Sequence, residues 1–253
     1  MNRPTTSRWI ISAALVTAFC LSGCSAPQPT QQPEAVRYEL PGLIQYNYRW
    51  SAEPGIDLFG SPEIAVRAYL ESYYIASFAH STAAGYPGFE KATQVLVYDP
   101  PRERDINDRT NFEDLPHTGT FYAHILSVER SDQSFRAVVC QGNYSLMTAV
   151  PEGGYVNFGS RIPSPAVVEL APGPNGTTQD TRAAEGPARA PQTDMFGGWT
   201  VTRHALSTKN FDDNLTCVDK FPDPPETRPQ RRYETFSAPY QTLPPYPGWS
   251  SSQ

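Results

Sequence analysis

Residues 120–144 read TFYAHILSVER, SDQS and FRAVVCQGNY in succession, and this stretch decides the predicted fold. Residues 120–130 and 135–144 are rich in β-branched and aromatic side chains, which favour strands. The four polar residues 131–134 lie between them, as expected for the turn of an antiparallel hairpin. Both strands carry apolar residues on each face. We therefore expect a sheet that is covered on one side and partly shielded on the other.

A helix is predicted before the hairpin, beginning at Ser61-Pro62-Glu63 and ending near residue 79. Ser61 can accept hydrogen bonds from free backbone N–H groups, Pro62 suits the first helical position, and Glu63 favours the positive end of the helix. The wide apolar face of this helix predicts that other structure surrounds it. The remaining predicted elements are a short helix near residues 88–94 and strands at residues 166–171 and 198–206.

A helical part followed by antiparallel strands predicts an α+β fold. The helix start at residues 61–63, the hairpin, and the late strand opening with residues 197–201 (GGWTV) resemble the NTF2-like, or cystatin-like, family over about residues 55–210. That resemblance implies a curved antiparallel sheet with the N-terminal helix or helices packed on it, forming a cone. Such folds host enzymes, binding pockets and interaction modules, so the fold class does not determine the function.

The first 23 residues have the features of an export signal. Arg3 and Arg8 make the N-terminal part positive, and no acidic residue occurs before Glu34. Residues 9–20 form an apolar run of 12 residues. This length suits a signal peptide and is too short to cross a bilayer of roughly 30 Å as a helix.

The segment Leu21-Ser22-Gly23-Cys24 comes directly after this run and resembles the lipobox of bacterial lipoproteins. In that family the chain is cleaved before the cysteine, whose sulfur is acylated, for example with palmitate. The resemblance implies that Cys24 is lipidated and that the protein is anchored to the cell membrane, facing the extracytoplasmic side. The alternative is an ordinary secreted protein with a chance Gly-Cys pair.

Composition predicts one packed domain with additional coil. Hydrophobic residues make up 39 % of the 253 residues, charged residues 18 %, and 26 residues are proline. For the Pro-rich end of the chain, an unstructured tail and a strap across the domain are both open. The predicted segments are a signal peptide at 1–23, the lipidated cysteine with a flexible tether at 24–36, a globular domain at 37–221 with a disordered insertion at about 172–194, and a Pro-rich C-terminal tail at 222–253.

The cysteines predict a disulfide. Cys20 leaves with the signal peptide and Cys24 carries lipid, so Cys140 and Cys217 remain. Two cysteines in an exported domain indicate one disulfide, and closing a loop of about 78 residues would stabilise the fold by roughly 4.5 kcal/mol. The alternative is two unpaired buried thiols.

Several classes of function are disfavoured by the sequence. The formal net charge is −6 and no run of Lys or Arg occurs, so nucleic acid is not an expected partner. The sequence contains no HExxH, GxSxG, CxxC, Walker or dinucleotide-binding motif, so we assign no catalytic residue, no cofactor and no metal ligand. His124 and His204 fall on predicted strands and can approach each other for acid–base work, although a hydrogen-bonded or exposed histidine is the simpler interpretation.

Aromatic residues supply the candidate binding site. Tyr69, Tyr73, Tyr122 and Trp199 can line a pocket in an NTF2-like cone, or they can fill the core. The leading hypothesis is a non-catalytic, lipid-anchored envelope domain that binds an apolar small molecule or an envelope protein. The alternatives are an NTF2-like enzyme that uses a buried Asp, His or Tyr, and an accessory subunit of an envelope complex.

Overall fold

The computed structural model describes residues 37–99, 115–183, 185–206 and 211–251. The predicted signal peptide, Cys24 and the tether lie outside the described residues. The fold is α+β, as predicted. The helices are α1 (Glu63–Ala79), α2 (Phe89–Ala92) and α3 (Phe211–Val218), and the strands are β1 (Ile44–Ala52), β2 (Val97–Asp99), β3 (His117–Arg130), β4 (Phe135–Ala149), β5 (Tyr155–Asn157), β6 (Ser164–Pro172), β7 (Trp199–Ala205) and β8 (Arg232–Phe236).

The strands of the described residues form one mostly antiparallel sheet in the order β1-β3-β4-β6-β7-β2. The predicted hairpin is β3 and β4, paired from His117 opposite Thr148 to Arg130 opposite Phe135. Four of the described strands, β1, β2, β5 and β8, were not predicted, and of these β1 and β2 join in parallel at β3 and at β7. The short strand β5 pairs with the end of β4 and carries β8 on its other side.

The helix α1 has the bounds that the sequence predicts, and its surroundings cover almost all of its surface. Thirteen of its 17 residues are buried, including Glu63, Arg67 and Glu71. Its apolar residues pack against the inner face of the sheet, for example against Tyr48 and Phe121. Among the described residues, no helix combines the length and apolar character that crossing a bilayer requires.

Ser61 does not cap α1, in contrast to the role we expected. The N-cap residue is Pro62, which provides no side-chain hydrogen bond. The Ser61 hydroxyl instead accepts a hydrogen bond of 2.9 Å from the indole Nε1 of Trp199, a residue 138 positions away. The Ser61 hydroxyl oxygen, which the local sequence predicts as a helix cap, therefore binds a distant residue instead.

The long connection between β6 and β7 packs onto the domain, although we expect disorder at residues 172–194. It contributes buried side chains to the main core: Ala183, Ala190, Met195 and Phe196. Arg189 fixes the connection against β1, because its guanidinium donates to the carbonyl oxygens of Ile44 (2.7 Å) and Tyr46 (2.9 Å). These partners are far away in sequence, and composition alone does not show them.

Residues 240–250 form a strap, which we call the C-terminal strap, along the free edge of β1. The amide of Tyr246 donates to the Tyr48 carbonyl (3.0 Å), and the amide of Trp50 donates to the Tyr246 carbonyl. Asn47 donates to the Leu243 carbonyl at 2.9 Å. The strap therefore pairs some of the backbone groups that an edge strand otherwise leaves exposed.

The C-terminal strap also completes a buried polar cluster around Glu71. One carboxylate oxygen of Glu71 accepts from the Trp50 indole at 2.8 Å, and the other accepts from the Tyr86 hydroxyl at 2.7 Å and the Trp249 indole at 2.9 Å. The guanidinium of Arg67 lies over the Trp249 ring and donates to the Pro247 carbonyl at 2.7 Å. Burial raises the pKa of Glu71, whereas the Arg67 charge and the three donors oppose that rise.

The predicted disulfide joins Cys140 and Cys217, whose Cα atoms are 5.3 Å apart. It ties α3 to the outer face of the sheet, opposite α1. Tyr122, Tyr144 and Phe221 surround it in a second apolar cluster. The prediction of a disulfide is confirmed, and this bond fixes the short helix that covers the outer face.

Candidate functional site

A groove of about 510 Å³ lies between α2 and the start of β7, and we call it the α2–β7 groove. One wall comes from α2 and the residues after it, and the other comes from the connection after β6. The floor is formed by the beginning of β7. Residues that line the groove include Gly88, Lys91, Gln94, Val95, Asn175, Thr177, Gln179, Asp194, Trp199, Thr200 and Thr202.

Glycines allow the walls of the α2–β7 groove to approach each other. Gly88 precedes α2 with a φ of +90°, and a Cβ atom there would lie 2.5 Å from the Asp194 carboxylate. Gly198 has a φ of +83°, and a Cβ atom there would lie 2.5 Å from the Thr177 carbonyl oxygen. Only glycine adopts these conformations without a steric penalty. Larger residues at either position would push the groove walls apart.

Hydrogen bonds fix the connection that forms the second wall. The Gly173 amide donates to the Gly198 carbonyl at 2.8 Å, and the Gln179 amide donates to the Gly197 carbonyl at 2.8 Å. Asp194 accepts from the Phe196 amide at 2.7 Å, which forms a tight turn before β7. The wall is therefore built from backbone pairs rather than from flexible side chains.

Trp199 is the aromatic residue at the floor of the α2–β7 groove. Its ring is half-buried, and its indole N–H is bonded to Ser61, so the orientation of the ring is fixed. Val95 stands on the opposite wall with 60 % of its surface exposed. A flat aromatic face and one exposed aliphatic side chain can pack against the apolar faces of a ligand.

Hydroxyl and amide groups supply most of the polar lining. Gln94, Asn175 and Gln179 offer both donors and acceptors, as do Thr177, Thr200 and Thr202 through their hydroxyls. Lys91 and Asp194 contribute one charge of each sign, so the described lining has no net charge. The apolar residues Ala92, Pro172, Pro174 and Phe196 also line the groove, so this chemistry suits a neutral ligand that combines an apolar face with hydroxyl groups.

The structure separates the four aromatic residues that the sequence suggests for a pocket. Tyr69 and Tyr73 are fully buried in the main core, with ring centroids 6.0 Å apart. Tyr122 lies on the outer face of the sheet, stacked on Tyr144. Of the four, Trp199 alone lines the α2–β7 groove. Because adjacent residues of a strand point to opposite faces, Phe121 and not Tyr122 faces α1.

The two strand histidines occupy different environments. His204 is fully buried beside the core tyrosines, and its Nδ1 lies 2.9 Å from the Tyr69 hydroxyl. His124 instead contacts Ser51 and Glu53. His117 stacks on Phe78, and burial lowers its pKa to about 4. Within the described ranges, no group of three His, Cys, Asp or Glu side chains comes together to hold a metal.

Most of the groove lining escapes prediction from sequence. Residues 173–179 and Asp194 belong to the stretch that we expect to be disordered, and Lys91 and Gln94 belong to a segment with no motif. The available signal is the Gly-Gly-Trp sequence at residues 197–199, in which two flexible residues precede a large aromatic residue.

Comparison of the chain with models of protein families, with curated protein sequences and with solved structures gives no match, so the groove itself is the basis for proposing a function.

Proposed function

We propose that this chain is an envelope lipoprotein, anchored through Cys24, whose domain binds a neutral hydroxyl-rich ligand such as a short glycan in the α2–β7 groove. The observation that carries the ligand class is the lining of the groove: Trp199 at the floor among six amide and hydroxyl side chains, with no net charge. A sugar ring offers the same combination of an apolar face and peripheral hydroxyl groups. The proposal replaces the apolar small molecule of the sequence-based hypothesis with a more polar ligand.

The NTF2-like resemblance stays a prediction and forms part of this proposal. A long helix enclosed against one face of a mostly antiparallel sheet supports it. The parallel edge strands β1 and β2 are additions that the resemblance did not lead us to expect. In the proposal, the ligand occupies the edge region between α2 and β7 rather than the interior, which Tyr69 and Tyr73 fill.

Binding is tested by titrating neutral oligosaccharides, beginning with an N-acetylglucosamine trimer, against the chain and measuring tryptophan fluorescence and heat. Trp50 and Trp249 are buried and Trp9 belongs to the predicted signal peptide, so in the chain that begins at Cys24 a fluorescence change on binding reports mainly on Trp199. We expect Trp199→Ala to weaken binding at least about tenfold, which corresponds to roughly 1.4 kcal/mol. Val95→Ala on the opposite wall removes exposed contact area without disturbing the core. We expect it to weaken binding less than Trp199→Ala does.

Tyr233→Ala serves as the matched control, because this aromatic side chain is 75 % exposed and lies outside the α2–β7 groove. The Tyr233→Ala variant should bind the oligosaccharide with the affinity of the wild type. Binding of aliphatic compounds in place of oligosaccharides would contradict the glycan assignment and favour an apolar ligand. Equal affinity in the Trp199→Ala variant would contradict the assignment to this groove.

Lipidation is tested separately with an alkyne analogue of palmitate fed to bacteria that express the chain. We expect label on the wild-type chain and recovery of that chain with the membrane fraction. Cys24→Ser should lose both, because the acylated sulfur is absent. Cys20→Ser is the control, since this cysteine lies four residues away in the predicted signal peptide and should leave labelling intact. Label that persists in the Cys24→Ser variant would refute the anchor.

A further inference from the structure

A second cluster of polar side chains lies at the end of β1, and it shares no residue with the α2–β7 groove. The hydroxyl oxygen of Ser51 is 2.8 Å from Nδ1 of His124. The other ring nitrogen, Nε2, is 3.2 Å from a carboxylate oxygen of Glu53. That same oxygen contacts the ammonium group of Lys220. The four side chains thus form one continuous chain of contacts: a hydroxyl, an imidazole, a carboxylate and an ammonium.

The strand register explains why these residues meet. Ser51 of β1 pairs directly with His124 of β3 in parallel, which places both side chains on the same face of the sheet. Glu53 comes two residues after Ser51, and its amide donates to the Ile125 carbonyl at 3.0 Å, so the register continues past β1. Residues two apart in an extended segment point the same way. His124 also pairs with Cys140, and the Cys140–Cys217 disulfide fixes the segment that carries Lys220.

The contacts select one proton arrangement for His124. An ionised carboxylate only accepts hydrogen bonds, so Nε2 carries the proton and donates it to Glu53. Nδ1 then has a free lone pair and accepts the hydroxyl proton of Ser51. The Lys220 ammonium, through its hydrogen bond, lowers the pKa of Glu53 and keeps it ionised. Burial lowers the pKa of His124, which favours the neutral imidazole that a base requires.

We propose that Ser51 is a nucleophile, that His124 is its general base, and that Glu53 is a positioning residue, in a surface site that hydrolyses esters of small acyl groups. A nucleophile bonded to a base, which is in turn oriented by a third group, is the arrangement that acyl transfer uses on unrelated folds. In the usual arrangement Nε2 of the histidine faces the serine. Here Nδ1 of His124 faces Ser51, and Nε2 faces Glu53. The ring satisfies the same requirement, a hydroxyl within hydrogen-bond reach of an unprotonated nitrogen.

The steps balance without any further reactant except water. The Ser51 oxygen bonds to the ester carbonyl carbon while its proton moves to Nδ1 of His124. The bond from carbon to the alcohol oxygen breaks, and the leaving alkoxide takes that proton. Water then attacks the acyl-serine with its proton going to Nδ1, and the proton returns to Ser51 as the acid is released. Lys220 offsets the negative charge of Glu53, which would otherwise repel the oxyanion as it forms.

Exposure decides the class of substrate. Ser51 is exposed at the end of an edge strand, whereas His124 is buried beneath it. Ser51 does not line the α2–β7 groove, so that cavity cannot enclose an extended acyl chain bound to this serine. An acetyl-type ester carried on a larger molecule fits this setting, because the bulk of the substrate can stay in solvent.

The experiment uses the full chain with its disulfide intact, a fluorophosphonate probe and p-nitrophenyl acetate. We expect one probe adduct, located at Ser51 by mass spectrometry, and ester hydrolysis above the buffer rate. Ser51→Ala should abolish both, and His124→Gln should slow hydrolysis by about 100-fold or more, the usual contribution of a general base. Ser127→Ala is the control, because Ser127 is an exposed serine of β3 with no role in the cluster.

The pH profile separates catalysis from a merely structural hydrogen bond. The rate should rise as His124 loses its proton, and Glu53→Gln should move that rise to lower pH, because the Glu53 hydrogen bond and charge raise the pKa of His124. No adduct on Ser51 of the folded chain between about pH 5 and 9 would overturn the proposal. Hydrolysis or labelling that continues unchanged in the Ser51→Ala variant would overturn it as well.

Discussion

A chain that ends before the C-terminal strap is expected to fail to complete its core. Deleting residues 240–253 removes the Trp249 ring, two backbone and two side-chain hydrogen bonds to β1, and one of the two carbonyl partners of Arg67. Loss of a buried Trp alone costs about 3–5 kcal/mol, and loss of one hydrogen bond from a buried charged group costs about 1.5–3 kcal/mol more. Because whole domains are stable by only about 5–15 kcal/mol, we expect loss of the cooperative unfolding transition in urea and loss of the near-ultraviolet circular dichroism signal.

Two point variants show whether the ring or the strap backbone is responsible. Trp249→Ala should lower the free energy of unfolding by about 3–5 kcal/mol. Tyr246→Ala keeps the same backbone hydrogen bonds and removes a side chain that is 46 % exposed, so its effect should stay within about 1 kcal/mol. A truncated chain that unfolds with the wild-type midpoint would show that the strap is dispensable.

Replacement of Glu71 by Gln is expected to destabilise the domain by about 3–5 kcal/mol, measured by urea denaturation. The carboxylate accepts three hydrogen bonds from Trp50, Tyr86 and Trp249 and needs to donate none. An amide turns one of these acceptors into a donor that faces another donor. It also leaves the buried charge of Arg67 without its nearby opposite charge.

Glu129→Gln provides the matched control for Glu71. The Glu129 carboxylate is 70 % exposed and pairs with Arg136 at the surface, where such ion pairs contribute about 1 kcal/mol or less. The same chemical change should therefore leave the unfolding midpoint nearly constant. If Glu71→Gln lowers the free energy of unfolding by less than about 1 kcal/mol, the three donors find other partners and the cluster is not required for stability.

Local patterns were sufficient where the structure depends on neighbours in sequence. The apolar face of α1 predicts its extent, and the hairpin of β3 and β4 results from two strand-forming runs around a polar turn. The disulfide is predicted by counting the cysteines of a chain whose first residues predict export. Each of these inferences needs only propensity, periodicity or composition, which the chain displays directly.

Features that depend on distant partners escape such reasoning. The role of Ser61 changes because Trp199 reaches its hydroxyl, and Ala183 and Ala190, in the stretch that we expect to be disordered, pack into the same core as α1 and β1. Both candidate sites also depend on contacts between residues that are distant in sequence. Trp199 is the only groove residue that the sequence suggests, and the pairing of Ser51 with His124 requires the parallel register of a strand that the sequence does not predict.

The C-terminal strap has a consequence for the order in which the protein matures. The hydrogen bond between Glu71 and Trp249 cannot form until Trp249 has been synthesised, and Trp249 lies 178 positions further along the chain. At about 5–20 residues per second, synthesis separates the two by roughly 9–36 s. During that interval α1 has only part of its cover, and the growing chain lacks a closed native core. In the export route that we propose, a secretory channel that transports unfolded polypeptide would receive this chain before the core closes and the chain becomes too compact to thread.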